Sequence, residues 1–122
     1  CFSILYAIMT IQYKNQGFTI DSTFSEEVFV CPSSGVAIVK SVKISNDAAV
    51  DALIKGQFVD FSTAFAHTFF IDTLTSDSST NMISNVLNLE AGDKINIQSS
   101  QGGSVIQGVI SYALIDRSQE NG

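Results

Sequence analysis

The sequence predicts an all-β domain, an antiparallel β-sandwich of the jelly-roll or immunoglobulin-like type. Apolar residues recur mainly at every second position, which is the period of a half-buried strand. Turn-forming residues separate these runs at nearly regular intervals, as they do in sandwiches and barrels. No window of about eleven residues keeps a helical period. The 122 residues are enough for one domain and too few for two of ordinary size.

The alternating runs predict nine strands. They are expected near residues 10–13, 17–21, 25–31, 36–46, 50–59, 65–72, 81–89, 93–99 and 105–116. The polar stretch 76–80 is expected to be a loop. In the fourth strand, Val36, Ile38, Val42 and Ile44 alternate, and Lys40 interrupts the face that they form. This alternation predicts one apolar face directed at the core.

Two other runs have a distinctive pattern. Val105–Ile115 is apolar at both odd and even positions, which is typical of a central strand buried on both sides. The second run is Phe65–Ile71, which contains the one histidine. Its residues Phe65, His67, Phe69 and Ile71 are expected to share a face. We therefore interpret His67 as a core or interface residue with one hydrogen bond.

Composition excludes several classes of protein. The chain is 45% hydrophobic, which excludes intrinsic disorder, and 15% charged, below the roughly 25% of an average soluble domain. Six basic and twelve acidic residues give a net charge of −6. Binding to nucleic acid requires clustered Lys and Arg, and the one close basic pair is Lys40 and Lys43. We expect no nucleic-acid partner and no membrane partner.

The chain divides into three expected parts: an apolar N-terminal arm at 1–14, a β-sandwich domain at 15–116 and a polar tail at 117–122. The arm would expose a large apolar patch on a free monomer, which soluble monomers rarely tolerate. We therefore expect it to be buried against a neighbouring subunit. The side chains that would form this interface are Phe2, Ile4, Leu5, Tyr6 and Ile8.

The two cysteines leave alternatives open. Cys31 follows an apolar strand-like run, which predicts a buried free thiol more readily than a bridge to Cys1. A first residue of Cys is also compatible with a processed lipoprotein. Met9 is compatible with an alternative translation start, which would place residues 1–8 upstream of it.

No motif favours an enzyme, a cofactor or a metal ion. The chain contains no nucleophile-elbow sequence that could supply a serine partner for His67. Its two Cys and one His are too few for a structural zinc site. Glu26 and Glu27 are adjacent, so on a strand they point to opposite sides. The aspartates near turns lack the spacing of a calcium loop. The glycine-rich Gln101–Ser104 lacks a phosphate-binding lysine and is expected to be a hairpin turn.

Leu87–Ile97 is the most patterned stretch, with the form Leu-x-Leu-x-x-Gly-Asp-x-Ile. Gly92 is free to take a positive φ, and Asp93 can cap the turn by hydrogen bonding. We expect a hairpin whose two strands face the same core. Its inward side chains are expected to be Leu87, Leu89, Ile95 and Ile97.

Combined with its neighbours, this stretch resembles a known group of proteins. Phe29–Asn46 has the form of a strand, a Pro/Gly turn and a long strand ending in Asn, and Val105–Ile115 closes the order. From Phe18 to Asp116 the chain resembles the small β-sandwich virion structural proteins of tailed bacteriophages, particularly of marine cyanophages and pelagiphages. It departs from them at Cys1–Ile8, which has no counterpart.

This resemblance implies a non-enzymatic particle component on the exterior of a head or tail. It also implies assembly with other copies and with a major capsid or tail protein. Two alternatives remain open from the sequence. One is a carbohydrate-binding module that recognises a host-surface glycan, although Trp is absent and Tyr occurs three times. The other is a bacterial surface domain anchored by lipid through Cys1.

Overall fold

Nine strands and no helix make up residues 10–116, the part of the chain that this computed structural model describes. The strands are β1 (Thr10–Ile20), β2 (Glu26–Val30), β3 (Gly35–Asn46), β4 (Ala52–Asp60), β5 (Phe65–Leu74), β6 (Ser78–Asn81), β7 (Leu87–Leu89), β8 (Lys94–Ser99) and β9 (Ile106–Asp116). All pairings between them are antiparallel. The predicted all-β fold is confirmed.

The strands form two sheets with the connectivity of a jelly roll. One sheet has the order β1-β9-β3-β6, with β7 also paired to β3, and the other has the order β2-β8-β4-β5. β7 and β6 pair with successive parts of β3, so they act as one interrupted strand along its edge. Counted in this way, eight strands are divided between two four-stranded sheets, with consecutive strands in different sheets except for the paired β4 and β5, as in a double Greek key. Of the two sandwich types expected, the chain has the jelly roll.

The core lies between the two sheets and consists mainly of β-branched and aliphatic side chains. Burial of such side chains contributes about 1.5–3 kcal/mol each and is the main source of stability in a domain of this size. Fully buried members from both sheets are Ile20, Val39, Val42, Ile44, Ile54, Leu89, Ile95, Ile97, Ile106 and Ile110. Phe18, Phe58, Phe69, Phe70 and Tyr112 pack around them.

A β-bulge in β3 corrects the predicted single face of that strand. Its register with β9 shifts between Val39 and Ser41, so Lys40 is the extra residue. A bulge reverses the alternation of side chains beyond it. Val42 is therefore fully buried, whereas Val36 lies on the outer side of the sheet. The charge that interrupts the apolar pattern marks the bulge.

A second bulge affects β5. Its register with β4 skips Phe69, so Phe65 and His67 lie on the inner side and Ile71 on the outer side. The predicted shared face is wrong for this reason. His67 is exposed, because β5 is an edge strand. The expectation of a core histidine is therefore also wrong.

β9 is central, as predicted, with β1 on one side and β3 on the other. It is not buried on both faces. Ile106 and Ile110 are fully buried, whereas Gln107 and Val109 are exposed. In a two-layer sandwich nothing covers the outer face of a sheet, so one side of each strand meets solvent.

Several strand boundaries differ from those expected. β1 is continuous over residues 10–20 and replaces two predicted strands, so residues 10–14 of the expected arm pair with β9. β6 begins inside the predicted loop 76–80, and residues 82–86 interrupt the predicted strand 81–89. Residues 1–9 and the tail 117–122 lie outside the described residues, and so does any pairing of Cys1.

Candidate interaction surfaces

The sandwich has two distinct ends. At the terminal end, the start of β1, the start of β3 and the end of β9 lie in register at Thr10, Gly35 and Asp116. The loops at this end are 31–34, 61–64 and 90–93. At the distal end, Ile20, Asn46 and Ile106 lie in register. The loops there are 21–25, 47–51, 75–77 and 100–105.

The three loops of the terminal end are held together by Asp93, which is 5% exposed. Its Oδ1 accepts a hydrogen bond from the amide of Phe61 at 2.9 Å, and its Oδ2 accepts one from the amide of Glu90 at 2.8 Å. The amide of Cys31 donates to the carbonyl oxygen of Asp93 at 2.8 Å. The buried carboxylate therefore links the β4–β5 loop to the β7–β8 connection, and the main chain of the same residue holds the β2–β3 loop.

Gly92 has a φ of +86°, and a Cβ at this position would lie 2.6 Å from Cγ of Phe61. The segment is not the predicted hairpin, because β7 lies in one sheet and β8 in the other. Gln101–Ser104 is likewise a connection between sheets, from β8 to β9, with Gly103 at a φ of +79°. Both glycine-containing turns carry the chain across the sandwich.

Cys31 is a buried free thiol within the described part of the chain, as the sequence predicts. Burial raises the pKa of this thiol, and the negative charge of Asp93 raises it further. A thiol that stays neutral is a weak nucleophile, so this environment gives no support to a reactive cysteine. The sulfur lies 3.6–3.7 Å from the carbonyl oxygens of Pro32, Gly35 and Leu89.

The outer face of the five-stranded sheet is apolar in its terminal half. Two rows of side chains cross β1, β9 and β3 in register, and we call this surface the apolar half-face. It consists of Ile11, Ile115 and Val36 in one row and Tyr13, Ala113 and Ile38 in the other. Ile11 is 53% exposed and Tyr13 is 73% exposed. The ammonium of Lys40 lies 4.7 Å from the centre of the Tyr13 ring.

The distal half of the same face is polar. Its outward side chains include Asn15, Thr19, Ser41, Ser45, Gln107 and Ser111. A shallow groove runs across it, lined by Lys43, Ser45, Ser79, Gln107 and Val109. The four distal loops add the exposed carboxylates of Asp21, Asp47, Asp51 and Asp77, and these loops contain no Lys, Arg or His. The two halves of one sheet face therefore differ in chemistry.

Near the terminal end, Asp60 is hydrogen-bonded by its own loop. Its Oδ1 accepts hydrogen bonds from the hydroxyl of Ser62 at 2.9 Å and from the amide of Ser62 at 3.1 Å. The first of these is the main reason that the pKa of Asp60 is lowered. The ring of His67 instead stacks on Phe58, with centroids 6.3 Å apart. The Ser62 hydroxyl donates to the Asp60 carboxylate and not to His67. Ser62 and His67 therefore do not form a pair of nucleophile and base.

The glutamate pair and the acidic groups have structural partners. Glu26 accepts hydrogen bonds from the amides of Asp21 and Ser22, whereas Glu27 forms an ion pair with Lys94 at 3.2 Å. Within residues 10–116, no group of three or more His, Cys, Asp and Glu side chains is arranged to hold a metal ion. No helix in this part of the chain is long and apolar enough to cross a membrane.

Asn46 is an important polar residue that sequence reasoning missed. It is 1% exposed and ends β3 at the distal end. Its Nδ2 donates to the carbonyl oxygens of Leu74 at 2.9 Å and Val50 at 3.0 Å, and its Oδ1 accepts from the amide of Ala48 at 2.9 Å. An Asn that ends a long apolar strand is the signal that could have identified it.

The residues proposed from sequence as an interface lie outside the described residues. These are Phe2, Ile4, Leu5, Tyr6 and Ile8. The structure does place the segment to which they are attached, since β1 begins at Thr10 beside the apolar half-face.

The chain matches no protein-family model and no curated protein sequence. It is similar in structure to a protein of the T13 particle of infectious bursal disease virus, with a TM-score of 0.54, 9% identity and coverage of 91% of this chain and 32% of the viral one. The chain thus spans about a third of that viral protein.

Two further similar structures are matched along most of both chains. One belongs to the acid-stable capsid of the Helicobacter pylori bacteriophage KHP30, with a TM-score of 0.54, 14% identity and coverage of 91% and 92%. The other belongs to the Bacillus endospore appendages, a family of disulfide-linked pili, with a TM-score of 0.53, 10% identity and coverage of 90% of each chain. At such low identity these likenesses concern the fold.

Proposed function

We propose that this chain is a non-enzymatic structural protein of a tailed-phage virion. In this proposal it is a head decoration or cement protein, or a component of the tail exterior. It binds other copies of itself and a major capsid or tail protein. The observation that carries the proposal is the jelly roll itself. Chains of similar structure come from a viral particle, a phage capsid and a pilus.

The resemblance of residues 18–116 to small virion proteins of tailed phages supports the same role independently of the structure. The two neighbours of nearly equal length come from a phage capsid and from pili, so a single jelly roll of this size serves as a building block in both. A protein that works by repeated association needs a surface for contact more than it needs a pocket.

The surface of the sandwich also favours association. The apolar half-face offers a contact for a partner, since apolar burial is the main source of affinity in permanent interfaces. The distal loops, with four exposed aspartates and no basic residue, suit contact with solvent. We propose that the terminal end faces the particle and that the distal loops point outward.

A binding role is also favoured over a catalytic one. His67 stacks on Phe58 and the Ser62 hydroxyl is engaged by Asp60, so neither group is positioned to activate the other. Burial keeps the thiol of Cys31 neutral, because it raises the pKa of that group. We expect His67→Gln and Glu26→Gln to abolish no hydrolytic activity.

The decisive experiment is quantitative mass spectrometry of particles purified on a density gradient from cultures that produce this chain. Trypsin should release residues 15–40 and 95–117 as peptides that can be counted. We expect both peptides in fixed proportion to the major structural protein of the particle. Their absence from purified particles would overturn the proposal. Limited proteolysis of intact particles, with cleavage in the distal loops, tests the outward orientation.

A second candidate is binding of a host-surface glycan. A pocket at the distal end is lined by Thr23, Leu53, Lys55 and Gln98 among others, and Phe24, the residue after Thr23, is 77% exposed. An exposed ring next to polar donors is a common arrangement for a sugar. The pocket measures about 160 Å³, which is below the roughly 300–1,000 Å³ of typical ligand sites. This favours the particle role.

A glycan array tests this second candidate, with the Phe24→Ala variant as its control. Specific binding that is lost in the variant would favour a host-attachment module. The lipid-anchored alternative depends on Cys1, and an intact-mass measurement that detects an added lipid would support it.

A further inference from the structure

We propose that residues 2–8 of one copy pair along the open edge of β1 in a neighbouring copy and extend its apolar half-face. This inference deepens the proposed assembly role and rests on it. The occupant is a segment of this same chain. The site that receives it is the edge of β1 together with Ile11 and Tyr13.

The edge of β1 is the most regular of the sheet edges in the described residues. β1 pairs with β9 over eleven residues without a shift in register, and its other side is open. The other outer strands are irregular. β2 and β5 contain bulges, and β6 and β7 are separated by residues 82–86. Proteins block edge pairing with such irregularities, so the edge left regular is the one suited to accept a strand.

The sequence of the arm matches this edge. Residues 2–8 are Phe-Ser-Ile-Leu-Tyr-Ala-Ile, which contain no charge, no Gly and no Pro. In an extended conformation one side would carry Phe2, Ile4, Tyr6 and Ile8. Placed beside β1 with that side outward, two of these four residues continue the rows that begin at Ile11 and Tyr13. Strand addition of this kind obtains affinity from backbone hydrogen bonds and selectivity from alternate side chains.

The connection to β1 favours a neighbouring copy over the same chain. To pair with its own β1, the arm would have to reverse direction at Ile8, Met9 and Thr10. A tight reversal between strands uses Gly, Asn or Asp, and residues 1–14 contain none of these. An arm that continues in the direction of β1 leaves its own sandwich and is free to reach the next one.

The test uses one variant that cannot receive an arm and another that cannot donate one. Tyr13→Asp places a charge in the receiving surface, and the double variant Ile4→Asp/Tyr6→Asp places charges in the arm. The matched control is Thr19→Asp, which adds the same charge to the same strand and outer face at the polar distal end. Oligomeric state is measured on the purified chain by sedimentation velocity, and folding by circular dichroism.

We expect the unmodified chain and Thr19→Asp to self-associate. Each of the other two variants should associate about 30-fold more weakly or worse, as when a central interface side chain is lost. Mixed together, the receiving-site variant and the arm variant should form one-to-one heterodimers, because one intact arm remains for one intact edge. Heterodimers of this kind are not expected if the arm binds its own sandwich.

A monomeric unmodified chain, a Tyr13→Asp variant that associates normally, or a mixture that stays monomeric would each overturn arm exchange. If Tyr13→Asp does not fold, Ile11→Lys tests the same surface. The experiment requires no particle. If the variants form heterodimers but the chain is absent from purified particles, arm exchange is supported and the virion role is refuted. If the mixture stays monomeric but the chain is present in particles, the virion role is supported and arm exchange is refuted.

Discussion

The carboxylate of Asp93 accepts a hydrogen bond from the amide of Phe61 at 2.9 Å, although 32 residues separate the two in the sequence. This contact joins the β4–β5 loop to the connection between β7 and β8. The second carboxylate oxygen binds the amide of Glu90 in the same connection. The terminal end, which carries the proposed contact surface, therefore depends on one buried side chain.

Replacing this side chain should destabilise the fold. Asp93→Ala leaves two backbone amides without their acceptor, and hydrogen bonds to a charged group are worth about 1.5–3 kcal/mol each. We expect the free energy of unfolding to fall by about 3 kcal/mol in denaturant titrations. Asp47→Ala, which removes an exposed carboxylate at the distal end, is the control and should change the midpoint little. Equal midpoints for the two variants would contradict the role assigned to Asp93.

Gly92 combines a positive φ with close contact to Phe61, whereas Gly103 has a positive φ but open space, with no atom within 4 Å of where its Cβ would lie. The two glycines therefore separate backbone strain from steric overlap. Gly103→Ala should lower the free energy of unfolding by about 1–2 kcal/mol, from backbone strain alone. Gly92→Ala should lower it by more than Gly103→Ala does, because the new Cβ also overlaps the Phe61 ring. For Gly92→Val, backbone strain alone should lower it by about 1–3 kcal/mol.

A second background checks the cause of that difference. In a Phe61→Ala background the overlap disappears, so Gly92→Ala should then cost about as much as Gly103→Ala. Thermal or denaturant unfolding of the variants measures these differences. A cost of Gly92→Ala that is unchanged by the removal of the Phe61 ring would show that the ring moves aside freely.

Local patterns in the sequence place most strands correctly but do not assign them to sheets. Leu87–Ile97 has the leucine, Gly-Asp and isoleucine spacing of a hairpin, and its side chains do face one core. The two strands nevertheless pair with β3 and with β4, in different sheets. That choice is made by long-range pairing, which the segment itself does not encode.

Bulges set a second limit on prediction. Lys40 is visible in the sequence as a charge in an apolar run, yet a charge alone does not reveal that the strand reverses its faces there. The reversal places Val36 and Ile38 on the outer side, which creates a large part of the apolar half-face. A prediction that assumes strict alternation therefore cannot find the main candidate surface.

Asn46 should prove essential to the distal end, because its amide satisfies three backbone groups, two in the β3–β4 loop and one at the end of β5. Asn46→Ala should lower the free energy of unfolding by about 2–3 kcal/mol, as expected when buried backbone groups lose their partners. Asn88→Ala on the exposed side of β7 is the matched control and should have little effect. Urea titrations compare the two, and equal losses of stability would refute this role.

The charged variant Asn46→Asp adds a dependence on pH. Its carboxylate would face the carbonyl oxygens of Leu74 and Val50, which repel a negative charge. The pKa of the new carboxyl should therefore be raised in the folded state, and the variant should gain stability relative to the unmodified chain as the pH falls. A constant difference between pH 7 and pH 4 would contradict this expectation.

Cys31 should make stability decline at alkaline pH, because burial raises the pKa of its thiol in the folded state. A raised folded pKa means that the stabilisation is complete below the ordinary thiol pKa and is lost as the pH rises through the folded value. The Cys1→Ser variant isolates this thiol, since the chain has two cysteines. Its free energy of unfolding should fall more steeply with alkaline pH than that of Cys1→Ser/Cys31→Ala.

A maleimide should label Cys31 at the rate at which the protein opens, and rapid labelling of the native protein would show that the thiol is accessible.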